Sequence, residues 1–414
     1  MAIQDIGARA HLWRRVLPVL GPGLVVMLAD TDAGSIITSA QSGAQEGYKL
    51  LTLLIVLIPI LYIVQELTVR LGIVTGRGHG ELIRERFGAG WAWLSVSTMA
   101  ISCIGALVAE LSGMAGVAQL FGVPVWAMMV MTISLLIIMV LTGSYRSVER
   151  VAVCFGLFEL VFLGLAWAAG PVPAEIAAGV TQLPLDDNQF LYLAAALIGA
   201  VIMPWMVFYQ QSAVVDKGLR ASDLKVARWD TAIGAVVTQL IMAAVLVAVA
   251  ATVGRAHDSS PLDTVPQIAA ALTPMLGDTM GRLVFALGIS GAALVATIVV
   301  SLTAAWGLGE VTGYRRSLEH HPREAPWFYG VFIASLIAGG CLVMSGASLV
   351  QLSVAVSVMN AALLPIVLGF LFLLARMALP APYRLTGWYA WVVGITVVFT
   401  SVFALYAGAQ GIFG

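Results

Sequence analysis

The chain carries little charge. Asp, Glu, Lys and Arg make up 10% of its 414 residues, against about 25% in a soluble domain. With 60% of residues hydrophobic and a mean hydropathy of +0.97, this excludes an ordinary water-soluble fold. The net charge is −1, with no acidic or basic tail, so nucleic acid is excluded as a partner. Cysteine is scarce: Cys103, Cys154 and Cys341 fall inside apolar runs without metal-type spacing. They read as packing residues, with no disulfide framework and no redox role. Histidine occurs five times, at 11, 79, 257, 320 and 321, in the tail or loops and never inside a span. A membrane proton relay therefore lacks its usual neutral-pH carrier. Nucleophile elbow, His-Glu and phosphate-loop motifs are also missing, which argues against an enzyme and implies no cofactor.

What is present is a series of apolar runs, each of about 20 residues, the length needed to cross a bilayer as helix. Eleven spans are expected, at about 17–44, 49–75, 91–120, 123–143, 147–169, 188–216, 226–253, 281–310, 325–345, 348–377 and 387–412. The lipid bilayer is thus the surrounding medium, and the class is an all-α polytopic membrane protein. The basic N-terminus leads into an apolar stretch too long and too interrupted for a cleaved signal peptide. With the N-terminus inside, eighteen of the 21 Lys and Arg fall on the cytoplasmic side, leaving Lys49, Arg255 and Arg282 outside. That asymmetry predicts a plasma-membrane (inner-membrane) protein with its N-terminus cytoplasmic and its C-terminus outside. Trp13, Tyr192, Trp327 and Trp388 near span ends read as interface anchors. The outer loop 254–280 contains one short amphipathic stretch. No linker divides the chain, so residues 1–414 form a single domain, and nothing sets an oligomeric state.

Two spans carry breakers near their centres. The first reads VLGPGLVVMLADTDAGSIITSAQSGAQ, with Asp30, Asp32, Gly34 and Ser35 in the middle; the sixth reads LAAALIGAVIMPWMVFYQQSAVV, with Gly199, Met203 and Pro204 in the middle. Unwound backbone in a membrane is tolerated only inside protein or beside water. Interrupted spans at corresponding places in two five-helix units point to a midplane site in an inverted-repeat transporter. The units would be about 17–169 and 188–377, with 387–412 appended. An ionised carboxylate at mid-membrane costs at least about 2.5–3.5 kcal/mol. A cation would offset that cost, and carboxylate, freed carbonyl and hydroxyl oxygens suit Mg²⁺, Ca²⁺ or Mn²⁺. The alternative is structural: Asp32 caps the second half-helix while Asp30 is protonated or paired.

At these residues the sequence resembles the Nramp (natural resistance-associated macrophage protein) family of divalent-metal transporters, and most nearly its magnesium-transporter branch. The resemblance rests on Gly21-Pro22, Asp32-Ala33-Gly34-Ser35, Gln41-Ser42-Gly43-Ala44 and Gly47-Tyr48, on QELTVRLGIVTGRGHGELI from Gln65 to Ile83, and on GAVIMPW from Gly199 to Trp205. It implies a LeuT-type fold with broken helices 1 and 6, and metal held by Asp32, Ser35, the Ala200 carbonyl and the Met203 thioether. Ser35 stands where the family has Asn, Trp205 where it has a His tied to proton movement, and Leu107 where it has an Asp of the proton route; Glu110 is kept. These departures imply transport without proton coupling. Shortened ligands suit a partly hydrated Mg²⁺, which gives up its waters reluctantly. The Met203 sulfur instead favours Mn²⁺.

Other polar groups stand in or beside the apolar runs. Glu66 lies four residues before Arg70, a spacing for an ion pair on one helix face. Glu110 lines the ion path or pairs within the bundle, and Glu159 makes a buried hydrogen bond or belongs to the pathway. Glu310 ends the eighth span. Ser357 and Asn360 lie in the tenth span, where the family has a Gln closing over the ion; both read as water-mediated contributors or as interhelical glue, as do Gln210 and Gln211. The leading function is import of Mg²⁺, with Mn²⁺ as a second ion, by alternating access. Alternatives are a proton-coupled Mn²⁺/Fe²⁺ transporter of the Nramp type, a sodium-coupled organic-solute symporter, which Asp32 would disfavour by repelling a substrate carboxylate, and a channel.

Overall fold

The computed structural model describes residues 21–142, 144–253, 261–345 and 348–413, except the side chains of 145 and 146. His11, Trp13, the arginines at 9, 14, 15 and 255, and His257 lie outside the described residues. Among these residues the chain is helical, and ten helices are long and apolar enough to cross a membrane. The first span is not among them because it is in two pieces: α1 (Pro22–Asp30) and α2 (Ala33–Glu46), of nine and fourteen residues. With it, eleven segments match the expected series.

The second span is α3 (Leu51–Thr75), followed by a short helix α4 (His79–Phe87). The third and fourth are α5 (Ala89–Leu120) and α6 (Val125–Thr142). The fifth is α7 (Tyr145–Gly156), a 3-10 turn Leu157–Leu160 and α8 (Val161–Ala168); α9 (Pro173–Gly179) leads out of it. The sixth is again in two pieces, α10 (Asn188–Val201) and α11 (Pro204–Asp216). Then come α12 (Leu224–Thr252), the short α13 (Val265–Leu272), α14 (Asp278–Thr312), α15 (Pro326–Val343), α16 (Leu349–Met377) and α17 (Gly387–Phe413). The amphipathic stretch expected in the outer loop is α13.

The two broken spans are buried almost throughout, enclosed by α5, α12, α14 and α16. The peripheral α6 and α17 leave large apolar side chains such as Trp126, Ile138, Trp391 and Phe399 exposed, as lipid-facing helices do. Close approach of the inner helices depends on small residues. A Cβ at Gly199 would stand 1.8 Å from the Ser357 carbonyl oxygen, and one at Gly43 would stand 2.4 Å from that of Leu246. The first fixes α10 against α16, the second α2 against α12.

Two expectations are corrected. His79 is not in an open loop: it is the first residue of α4, fully buried, with its ring edge-on to Phe208 at 4.9 Å. It sits beyond the end of α3, where the chain folds back under α11. Cys154 and Cys341 are exposed on apolar helices, so only Cys103 packs in the interior.

Candidate metal site between the broken helices

Each break has a local cause. Span 1 stops where Asp30, Thr31 and Asp32 interrupt the apolar run; these residues favour backbone competition and caps over helix interior. Asp32 then starts α2: its Oδ1 accepts the Ser35 backbone N–H at 2.6 Å. In span 6, Pro204 cannot donate to the preceding turn and occupies the first position of α11, with Met203 in extended backbone as the N-cap. The C-terminal ends of α1 and α10 thus present unsatisfied carbonyls and the negative ends of their helix dipoles toward the same region.

Hydrogen bonds bring the two breaks together. The Ser35 hydroxyl, whose neighbouring N–H is held by Asp32, donates to the Ala200 carbonyl at 3.1 Å. Asp32, Ser35 and Ala200 therefore form a continuous polar path between α2 and the end of α10. Met203 lies next to it in sequence, but its sulfur is engaged: Trp205 Nε1–H donates to Met203 Sδ at 3.1 Å. All four residues are buried, Asp32 being 3% exposed. Gly34 is needed for access to α5, because a Cβ there would meet that of Ala109 at 3.2 Å and Asp32 Oδ1 at 3.4 Å.

Glu110, from α5, completes the start of α2. Its Oε2 accepts the Ala33 N–H at 2.9 Å, and its carboxyl faces that of Asp32. It therefore pairs within the bundle and stands beside the Asp32 carboxyl. Asp30 accepts from the Thr238 hydroxyl at 3.4 Å through Oδ2, while Oδ1 has no partner among the described residues.

Several residues singled out in the sequence point elsewhere. Gln210 donates to Thr231 of α12 at 3.0 Å, Asn360 accepts from Ser102 of α5 at 2.7 Å, and Ser357 bonds to Ser353 and lies 3.3 Å from the Thr38 hydroxyl. These are bonds between or along helices. Glu66 pairs with Arg70 as the spacing implies, at 2.6 Å, and also with Arg228 of α12 at 2.7 Å. Glu310 accepts from Ser212 at 2.6 Å and from the Gly80 N–H at 2.7 Å, fastening α4 and α11 to α14.

One residue was missed. Asp230 of α12 accepts backbone N–H groups of Gly21, Gly23 and Leu24 through a single oxygen, capping α1 from outside its own span. Beside it Lys217 pairs with Glu149 at 2.7 Å. The signal was available: Asp230 is a carboxylate in an apolar helix, the same anomaly that marks Asp30.

A family model described as natural resistance-associated macrophage protein-like matches residues 23–410. The chain belongs to this family. A divalent metal cation transporter, MntH, from Xanthomonas campestris is 29% identical over 305 residues, covering 70% of this chain and 68% of that protein. Among solved structures, the manganese transporter of Eremococcus coleocola superposes with a TM-score of 0.76 at 20% identity, covering 97% of this chain and 88% of that one. MhsT in complex with L-phenylalanine superposes with a TM-score of 0.66 at 12% identity, over 94% and 98% of the two chains. The Nramp chain described here thus has the LeuT-type fold, with its breaks in helices 1 and 6. Among its described residues, no three His, Cys, Asp or Glu side chains are gathered as for a resident metal. The candidate residues Asp32, Ser35, Ala200 and Met203 include one carboxylate.

Proposed function

We propose that this Nramp chain imports a divalent metal cation, Mg²⁺ with Mn²⁺ as a second substrate, by alternating access around Asp32 and without proton coupling. The observation that carries this reading is the bonded path from Asp32 through Ser35 to the Ala200 carbonyl, at the meeting of two broken helices. Helix breaks free backbone oxygens where a transported cation needs them. The relatives' printed role as divalent metal transporters agrees.

The preference for Mg²⁺ draws on the Trp205–Met203 contact. An indole N–H spent on the thioether occupies a sulfur lone pair, which weakens the donor that would favour Mn²⁺. What remains around Asp32 is oxygen, which suits Mg²⁺ still carrying part of its water shell. Absence of proton coupling rests on Trp205 at the family's histidine position and on Leu107 at its aspartate. His79 does not replace them: burial holds its pKa down at about 4, so it is neutral at cellular pH. An inside-negative potential is a sufficient drive, giving a doubly charged ion about 4.6 kcal/mol per 100 mV.

In this reading the spans divide into repeats of about 17–169 and 188–377 with the last helix added, and the N-terminus faces the cytoplasm of a plasma-membrane protein. Flux into liposomes tests the proposal. Mg²⁺ and Mn²⁺ should enter through the wild type, fall to background in Asp32→Ala, and leave lumenal pH unchanged. Sodium-dependent amino-acid uptake without metal flux would replace this reading with the symporter, and acidification that tracks metal entry would replace its uncoupled mechanism.

A further inference from the structure

Glu159 has no role in the site described so far. It sits in the 3-10 turn Leu157–Leu160, where span 5 leaves regular helix, and it is fully buried with neither carboxyl oxygen hydrogen-bonded among the described residues. Span 5 comes close to α1 at this level: a Cβ on Gly156 would stand 2.6 Å from Leu28 Cδ1. The Glu159 carboxyl accordingly lies beside the Thr31 hydroxyl, outside hydrogen-bonding geometry with it, and within electrostatic reach of Asp30 and Asp32. Thr31 and Thr238 share a hydrogen bond between their hydroxyls, and Thr238 reaches Asp30 Oδ2. Asp30 Oδ1 is likewise buried without a hydrogen-bond partner among the described residues, as is Glu110 Oε1 on the Asp32 side.

Three unpartnered carboxyl oxygens from two spans thus converge on a pair of threonine hydroxyls, at the C-terminal end of α1. That end adds unsatisfied carbonyls and a negative dipole. Among the described residues, no arginine, lysine or histidine is bonded to either acid. A buried polar cluster in this condition is costly unless something completes it. Every donor is oxygen and the formal charge of the two carboxylates is −2, the requirement of a hard divalent ion.

We propose that Asp30, Thr31, Glu159 and Thr238 form a second divalent-cation site beside the Asp32 site, lying between the end of α1, span 5 and α12. It differs from the first in lacking sulfur. Two neighbouring sites for like charges let an arriving ion loosen the one ahead of it, so binding can be firm enough to enter and weak enough to leave. The site serves as the next station for the ion on the α1 side of Asp32. This rests on the transport reading above, but the two can fail separately.

The test is Mn²⁺ binding to the full-length purified protein by isothermal titration calorimetry, with size-exclusion profiles to check folding. The wild type should bind two Mn²⁺ per chain, Glu159→Gln one, Asp32→Ala one, and the double variant none. Thr238→Val, which keeps the shape, should weaken the second ion by about tenfold and leave the first. One Mn²⁺ in the wild type, unchanged in Glu159→Gln and lost in Asp32→Ala, overturns the second site and leaves the transport reading standing. Binding unchanged in Asp32→Ala, Glu159→Gln and the double variant overturns both. A wild type binding one Mn²⁺ plus ²²Na⁺ that Glu159→Gln abolishes would reassign the cluster to a monovalent ion and overturn the divalent assignment.

Discussion

The indole N–H of Trp205 and the sulfur of Met203 are hydrogen-bonded at 3.1 Å across the break in span 6, inside the shell that would face the ion. On the proposed reading, the bond sets how much sulfur character a bound metal meets. Trp205→Phe removes the donor and keeps an aromatic ring, releasing the thioether at a cost of about 1 kcal/mol of hydrogen bonding. Mn²⁺ flux relative to Mg²⁺ should rise about fivefold in mixed-ion uptake, and Met203→Ala should reverse it. An unchanged ratio in both variants would mean that the sulfur never touches the ion.

Asp230 holds α1 by three backbone N–H groups through one oxygen. Asp230→Ala leaves those donors buried and unpaired, which should lower stability by about 1–3 kcal/mol. Asp230→Asn keeps an acceptor and should lose less. Melting temperature in detergent reads the difference; equal losses in the two variants would show that charge, not capping, is what matters.

Gly199 and Gly34 make a graded pair. Gly199→Ala would drive a methyl to within 1.8 Å of the Ser357 carbonyl oxygen, a backbone atom that cannot rotate away, whereas Gly34→Ala meets the Ala109 methyl at 3.2 Å. The first should cost more than about 3 kcal/mol, through forced backbone shifts. The second should fold while weakening ion binding. Yield of monodisperse protein separates them, and normal folding of Gly199→Ala would contradict the packing.

His79 gives the protein a pH dependence below neutrality. Burial depresses its folded pKa to about 4, while the unfolded chain titrates near 6.5. The unfolded state therefore binds more protons between these values, and stability is complete above about pH 6.5 and falls as pH drops toward 4, by at most about 1.4 kcal/mol per unit. Melting curves of wild type and His79→Gln should converge at pH 7.5 and diverge at pH 5, with the wild type losing more.

The elements that could be read from the chain are those in which one stretch carries its own explanation. Hydropathy alone delimited the spans, and Asp30 to Ser35 and Met203-Pro204 marked both breaks, because charge and proline in an apolar helix are local faults. What escaped was long-range. Asp230 caps residues about 200 positions away, Arg228 joins the Glu66–Arg70 pair from another span, and His79 is buried only because α4 folds under α11. Met203 and Trp205 stand out singly, yet nothing in their spacing says that they bond to each other.

Gln41 of α2 grips Leu262 as a second peptide would, its amide nitrogen donating to the Leu262 carbonyl and its oxygen accepting the Leu262 N–H at 3.1 Å. On the proposed orientation this clasp lies on the outward side and is electrically neutral, whereas Asp230 and the Lys217–Glu149 pair secure the opposite end with charge. On the proposed transport reading, parting the Gln41 clasp gives up two neutral hydrogen bonds, whereas parting the other end withdraws a carboxylate from three backbone N–H groups.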